Sequence, residues 1–258
     1  MSILDETIAL KADRPLMGLA CNFYNPILVE IAAYLDYDVI WIEMEHALIT
    51  FAQAADLCRI GSGLGMMTMI RIPDVRRENV LKAAECGPDI IDLPMVNTSE
   101  IAAELVAHAR YAPEGSRGFF GSSRAVRYSM GDSIVEEQKR INRHLCLMGQ
   151  IETREAAENV DAVCATPGLD AILLGPGDMS TSLGVVGQVN HPLVHEAFGR
   201  AIAAAKTHGK KVAMVCAPSE IAGWFARGVN LFFCGNDITC MKAGAKAILD
   251  EARKGLTG

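Results

Sequence analysis

Asp170-Ala171-Ile172-Leu173-Leu174, running straight into Gly175-Pro176-Gly177-Asp178, is a strand-length apolar run that stops at a Gly/Pro turn and delivers an acid just beyond it. The run is apolar along its length instead of alternating, the pattern of a parallel strand buried on both faces. Runs of the same kind recur on either side. Toward the C-terminus they are Lys211–Val215 and Asn230–Cys234. Toward the N-terminus they are His144–Gln150, Asp89–Leu93, Met66–Arg71, Tyr37–Ile42 and Leu16–Ala20. Segments of helical period separate them. One carries Ile27, Ile31 and Leu35 on one face, and another carries Val194, Phe198, Ala201, Ile202 and Ala205. Thr98-Ser99-Glu100 reads as a capped helix start. Eight such β/α units in 258 residues predict one (β/α)8 TIM barrel over residues 1–258. A doubly wound open sheet is the alternative, weakened because no G-x-G-x-x-G follows the first strand. Residues 111–131 break the rhythm with a Gly-, Ser- and Arg-rich loop that includes Arg117, Arg124 and Arg127. Such a loop is expected to shape a substrate pocket or an interface.

Composition narrows the function classes. The net charge is −7 and half the residues are apolar. Without a block of Lys and Arg, neither nucleic acid nor an anionic membrane is an expected partner. The start, Met1-Ser2-Ile3-Leu4-Asp5-Glu6, has no basic segment followed by an apolar one, so no signal peptide is expected. No apolar stretch is long enough to span a bilayer. The 8 cysteines form no C-x-x-C pair and read as reduced thiols, which suits a cytoplasmic protein.

A barrel is expected to carry its chemistry just past the C-terminal ends of its strands. Polar residues fall there: Glu43-Met44-Glu45-His46, Arg71, Gln150-Ile151-Glu152 and Gly177-Asp178. Asp38, Asp89, His144, Asp170 and Lys211 fall at the opposite ends and read as a solvated set. Glu152 and Asp178 follow neighbouring strands. They are either ligands of a hard cation or two helix-start acids. His46 is either a base oriented by Glu43 or Glu45, or a loop histidine in a local ion pair. Arg71 needs an anion, either a substrate carboxylate or Glu43 or Glu45. The glycines of 175–178 allow close backbone approach to a ligand.

Taken in order, several stretches resemble the HpcH/HpaI aldolase/citrate lyase family, the metal-dependent class II pyruvate aldolases. They are Glu45-His46-Ala47, Arg71, Pro94-Met95-Val96-Asn97-Thr98, Arg110–Gly118, Gln150-Ile151-Glu152 and Gly175-Pro176-Gly177-Asp178-Met179-Ser180. The resemblance implies a barrel whose C-terminal helix is exchanged between subunits of a homohexamer. It implies Glu152 and Asp178 as ligands of Mg²⁺, Mn²⁺ or Co²⁺, and Arg71 as the holder of a 2-oxo acid carboxylate. It further implies His46 as acid–base machinery acting through a water, with Gln150, Gly177 and Asp178 as substrate contacts. Glu85 matches an acid that in relatives reaches the histidine across a subunit interface. The implied reaction makes or breaks a carbon–carbon bond of a 4-hydroxy-2-oxo acid, giving pyruvate or an analogue and an aldehyde. Alternatives on the same site are a citrate-synthase-like enzyme using oxaloacetate and a thioester, an oxaloacetate decarboxylase, and a non-catalytic 2-oxo acid sensor. Two positions depart from the family pattern: Glu43-Met44 stands where Asp-Gly is usual, and Glu85 where Asp is usual. Met44 is expected to add bulk near the pocket.

Overall fold

The computed structural model describes residues 2–131 and 133–254; Met1, Asp132 and residues 255–258 of the expected domain lie outside them. Its eight strands are β1 (Leu16–Cys21), β2 (Val39–Glu43), β3 (Met67–Arg71), β4 (Ile90–Leu93), β5 (Cys146–Ile151), β6 (Ala171–Leu174), β7 (Lys211–Val215) and β8 (Leu231–Asn236). They pair in sequence order, all parallel, and β8 closes on β1. The expected barrel is therefore the fold.

Alternation along each strand divides the core in two. Outward-facing side chains such as Ile40, Ile70, Ile91, Leu147 and Ile172 pack beneath the helices. Inward-facing ones, among them Val39, Trp41, Met69, Ile90, Met148, Leu173 and Phe233, fill the barrel. Helix Ile3–Leu10 plugs its lower end through Leu4, which is 1% exposed. Gly18 is required by this packing, because a Cβ there would sit 2.1 Å from the Phe233 ring. That ring meets the Trp41 indole edge-on at 4.8 Å.

The lower strand ends differ from the expected solvated set. Asp38 Oδ2 accepts the Met17 N–H at 2.8 Å, Asp89 Oδ2 the Thr68 N–H at 2.8 Å, and Asp170 Oδ2 the Leu147 N–H at 2.9 Å. Asn230 Oδ1 accepts the Val212 N–H at 3.3 Å. Each residue precedes an even-numbered strand and ties down the odd-numbered strand before it, so the barrel repeats this clamp around its base. The carboxylates are spent on backbone donors that would otherwise be orphaned. Arg14 pairs with Asp38 at 2.7 Å and Arg110 with Asp170 at 2.8 Å.

Two helices leave apolar surface uncovered. In Pro26–Tyr34 the buried residues are Val29 and Ala32, whereas Ile27, Ile31 and Leu35, the stripe read from the sequence, are exposed, as is Tyr34. The last helix, Asp237–Lys254, has Asp237 as its buried residue and exposes Ile238, Met241, Ile248 and Leu249. It does not fold back to cover the helix that follows β1. No helix of the described residues is long and apolar enough to cross a membrane.

Candidate active site

The inward-facing stripe changes from apolar to polar at the upper ends of β2 to β5. Register places Glu43, Arg71 and Asp92 abreast on three adjacent strands. Arg71 is held tightly there. Its Nε donates to Glu43 Oε2 at 2.5 Å, and Nη1 lies 3.1 Å from Glu45 Oε2 and 3.4 Å from Gln150 Oε1. The guanidinium also stacks over Trp41, 5.1 Å from the ring centroid. Burial alone would depress its pKa, but the charge and hydrogen bond of Glu43 raise it instead. Among the described residues no hydrogen bond or ion pair engages Nη2. Arg71 thus has the carboxylate partners considered for it and the two N–H groups of Nη2 to spare.

Glu43, 3% exposed, shapes the loop as well as Arg71. Its Oε1 accepts the backbone N–H groups of Glu45 at 2.7 Å and His46 at 2.9 Å. It therefore touches the histidine's backbone and not its ring. The ring has Glu45 as its carboxylate neighbour, Nε2 to Oε2 at 3.4 Å, and the imidazole side chain is 70% exposed. Met44 departs from expectation. It is 7% exposed and packs in the outer core, so its bulk does not line the mouth.

Glu152 emerges from β5 almost fully buried, and its Oε1 accepts the Met95 N–H at 2.8 Å. Met95 holds a left-handed backbone (φ 56°) that is costly for a side-chain-bearing residue. Gly175 makes room for the other oxygen: a Cβ there would lie 2.7 Å from Glu152 Oε2. Burial pushes the Glu152 carboxyl up to about 7, with repulsion from Asp178 and Glu45 adding to the rise and Met95 N–H and Arg71 opposing it. Asp178 stands exposed in the first turn of helix Pro176–Ser182 beside Gly177. Glu152, Asp178, Glu45 and Arg71 are thus close enough to act on one another's charge. Among the described residues, no cluster of three or more His, Cys, Asp or Glu side chains is arranged to hold a metal.

Asp92 was not singled out by the sequence. It is fully buried in β4, takes a short hydrogen bond from Gln150 Nε2, and leaves Oδ1 without a partner. Burial raises its pKa well above the ordinary value, so it favours the neutral acid. The only signal was an acid inside an otherwise apolar strand.

Glu85 is not at this mouth beside His46. It pairs with the buried Arg117 at 2.7 Å, and Arg117 stacks over Tyr111 at 4.6 Å. Arg117, Arg124 and Arg127 border a separate cavity with Gly87-Pro88-Asp89 and His144, beside the lower strand ends. The 111–131 loop therefore does not line this barrel's own mouth. A cavity of ≈ 380 Å³ does open there, bordered by Asn22, Trp41, Glu43, Arg71, Cys216 and Asn236 among others.

A closed parallel barrel with a polar inner layer and acids at its C-terminal rim is the build of a barrel enzyme. The chain belongs to the HpcH/HpaI aldolase/citrate lyase family, whose model matches residues 17–239, and so to a family of carbon–carbon lyases. It is 28% identical to a 5-keto-4-deoxy-D-glucarate aldolase of Klebsiella pneumoniae subsp. pneumoniae over 248 residues, 95% of each chain. An HpcH/HpaI aldolase structure from Desulfitobacterium hafniense superposes with a TM-score of 0.90 at 28% identity, covering 98% of this chain and 97% of that one. The citrate synthase SbnG shares the fold at 24% identity, with a TM-score of 0.88 over 100% of this chain and 99% of that one.

Proposed function

We propose that this protein is a divalent-metal-dependent aldolase that cleaves or forms the C3–C4 bond of a 4-hydroxy-2-oxo acid, yielding pyruvate or an analogue and an aldehyde. The observation that carries the reading is the electrostatic grouping at the mouth. Two carboxylates from neighbouring strands, Glu152 and Asp178, repel one another, and one guanidinium, Arg71, keeps a free donor nearby. The donor set fits a hard cation: Glu152 and Asp178 would hold it through carboxylate oxygens, the donors such ions favour. Met95 N–H occupies one Glu152 oxygen and leaves the other for the ion. When bound, Mg²⁺, Mn²⁺ or Co²⁺ supplies Lewis-acid stabilisation of negative charge developing on the 2-oxo oxygen.

The chain's own groups supply the rest. Arg71, immobilised by Glu43 and Trp41, receives the substrate carboxylate and fixes its orientation. Gln150 keeps the guanidinium and Asp92 in place, and Gly177 and Asp178 offer backbone N–H contacts to substrate. In the cleavage direction His46 takes the C4 hydroxyl proton through a water, with Glu45 beside its ring.

The same reading makes the working enzyme a homo-oligomer, a hexamer by family resemblance, with the whole chain as one domain in the cytoplasm. The bare apolar faces of helices Pro26–Tyr34 and Asp237–Lys254 support exchange of the last helix between copies. Leu48, 98% exposed beside His46, supports a second copy covering the histidine and bringing its own Glu85 there.

The test is chelation. The purified enzyme, stripped of metal, should lose pyruvate release from a 4-hydroxy-2-oxo acid and lose proton exchange at pyruvate C3. Mg²⁺, Mn²⁺ or Co²⁺ should restore both. Full turnover by protein shown to be metal-free would overturn the reading.

A further inference from the structure

Outside the acid–base layer, two thiols border the mouth cavity where β7 and β8 end: Cys216 and Cys234. Parallel pairing runs Ala213↔Leu231, Met214↔Phe232, Val215↔Phe233, so Cys216 and Cys234 are the next pair in register. The Cys216 N–H extends the ladder by donating to Phe233 O at 3.3 Å. Paired residues on neighbouring strands project to the same side. Their Cα atoms are set about 4.8 Å apart by the strand spacing, inside the roughly 4.4–6.8 Å window that a disulfide spans. Both thiols are partly accessible, whereas Cys21, Cys58, Cys86, Cys146 and Cys164 are buried.

We propose that Cys216 and Cys234 are a reversible oxidation site, converted by low-molecular-weight disulfides into a Cys216–Cys234 disulfide. Interaction between the two thiols lowers the pKa of Cys234 and raises that of Cys216. Cys234 is therefore the attacking sulfur. Its thiolate displaces one thiolate from the small disulfide, giving a mixed disulfide. Cys216 then loses its proton and attacks Cys234 Sγ, expelling the second thiolate. Two protein thiols are oxidised, and one small disulfide is reduced to two thiols. The inference does not rest on the aldolase reading. Asp237, three residues past Cys234, accepts the N–H groups of Asn22 and Phe23, so oxidation acts on a segment that also holds the loop after β1.

The exposed thiol, Cys240, is removed for the test. Full-length C240S protein is incubated with oxidised glutathione and analysed by mass spectrometry after trypsin digestion. The expected product is two hydrogens lighter, with one cross-link between the peptides holding Cys216 and Cys234, and dithiothreitol reverses it. The buried cysteines stay reduced, which shows that the chain remained folded. C216S/C240S should stall as a glutathione adduct on Cys234, and C234S/C240S should form no internal disulfide. Failure of C240S protein to oxidise, or a cross-link joining other cysteines, would overturn the proposal.

Discussion

Replacing Glu152 with Gln should make the metal-free protein more stable at alkaline pH and leave it inactive. The Glu152 carboxyl stands at about 7 in the fold against an ordinary 4.5, a gap worth about 3 kcal/mol at roughly 1.4 kcal/mol per unit. The sign follows from where the protons go. Below pH 4.5 the group is neutral in folded and unfolded chains alike and costs nothing. Between 4.5 and 7 the unfolded chain ionises first, so stability falls as pH rises. Above 7 both are ionised and the fold carries the full cost of a buried anion facing Asp178. A Gln carries no charge at any of these pH values, and its amide oxygen still accepts the Met95 N–H. The difference between Glu152→Gln and wild type should therefore grow from near zero around pH 4.5 to about 3 kcal/mol at pH 8. Urea unfolding in EDTA at a fixed subunit concentration measures it, because any oligomer's stability depends on concentration. A difference independent of pH, or a wild type that gains on the variant as pH rises, would refute the reasoning.

Arg71→Lys loses the Nε bond to Glu43 and the stacking on Trp41, and should lower kcat/KM by about 10²-fold with the far-ultraviolet spectrum intact; a loss under about threefold would remove Arg71 from substrate binding. Gly175→Ala places a methyl 2.7 Å from Glu152 Oε2 and should weaken Mg²⁺ or Mn²⁺ binding on the order of tenfold, read by titration calorimetry; unchanged affinity would mean that oxygen is not a ligand. Met44→Ala should cost about 2–4 kcal/mol of stability and leave KM unaltered, since the side chain fills core and not mouth; a changed KM at unchanged stability would reverse that assignment. Metal binding at pH 6 should release close to one proton from Glu152 and far less at pH 8.5, as calorimetry in buffers of different ionisation enthalpy would show; equal release at both pH values would contradict it.

The barrel was readable because strands buried on both faces write themselves as unbroken apolar runs, and the rim residues because strand ends have a polarity. Side-chain partnership is what a linear reading lacks. Asp38, Asp89 and Asp170 look alike as polar residues before strands; only closure of the barrel brings each to the backbone N–H it clamps. Asp92 sits in an apolar strand with nothing local to mark it, and acquires meaning when register sets it beside Arg71. The stripe Ile27, Ile31 and Leu35 has the helical period, and it lies on the exposed face of its helix, away from this chain's own core. Periodicity reports that a face is apolar and does not name what covers it.

Charge at the mouth ties these findings together. Glu43, Glu45, Asp92, Glu152 and Asp178 are set around the guanidinium of Arg71. One positive charge does not balance five carboxyls, three of them buried (Glu43, Asp92 and Glu152), and the fold meets the excess in different ways. Glu43 spends its charge on Arg71 and two backbone N–H groups, and Asp92 is pushed toward the neutral acid. Glu152 is discharged only in part at neutral pH, since burial, with Asp178 adding to it, raises its carboxyl to about 7. A purely structural pair of acids gains nothing from that repulsion. A pair that grips a cation regains it on binding, because each charge that destabilises the empty site attracts the ion. Strain at Met95 and the missing Cβ at Gly175 bear on the same carboxylate, one donating to it and the other giving it space. Backbone strain, a steric vacancy and a raised pKa converge on Glu152, and they support the cation site proposed for it.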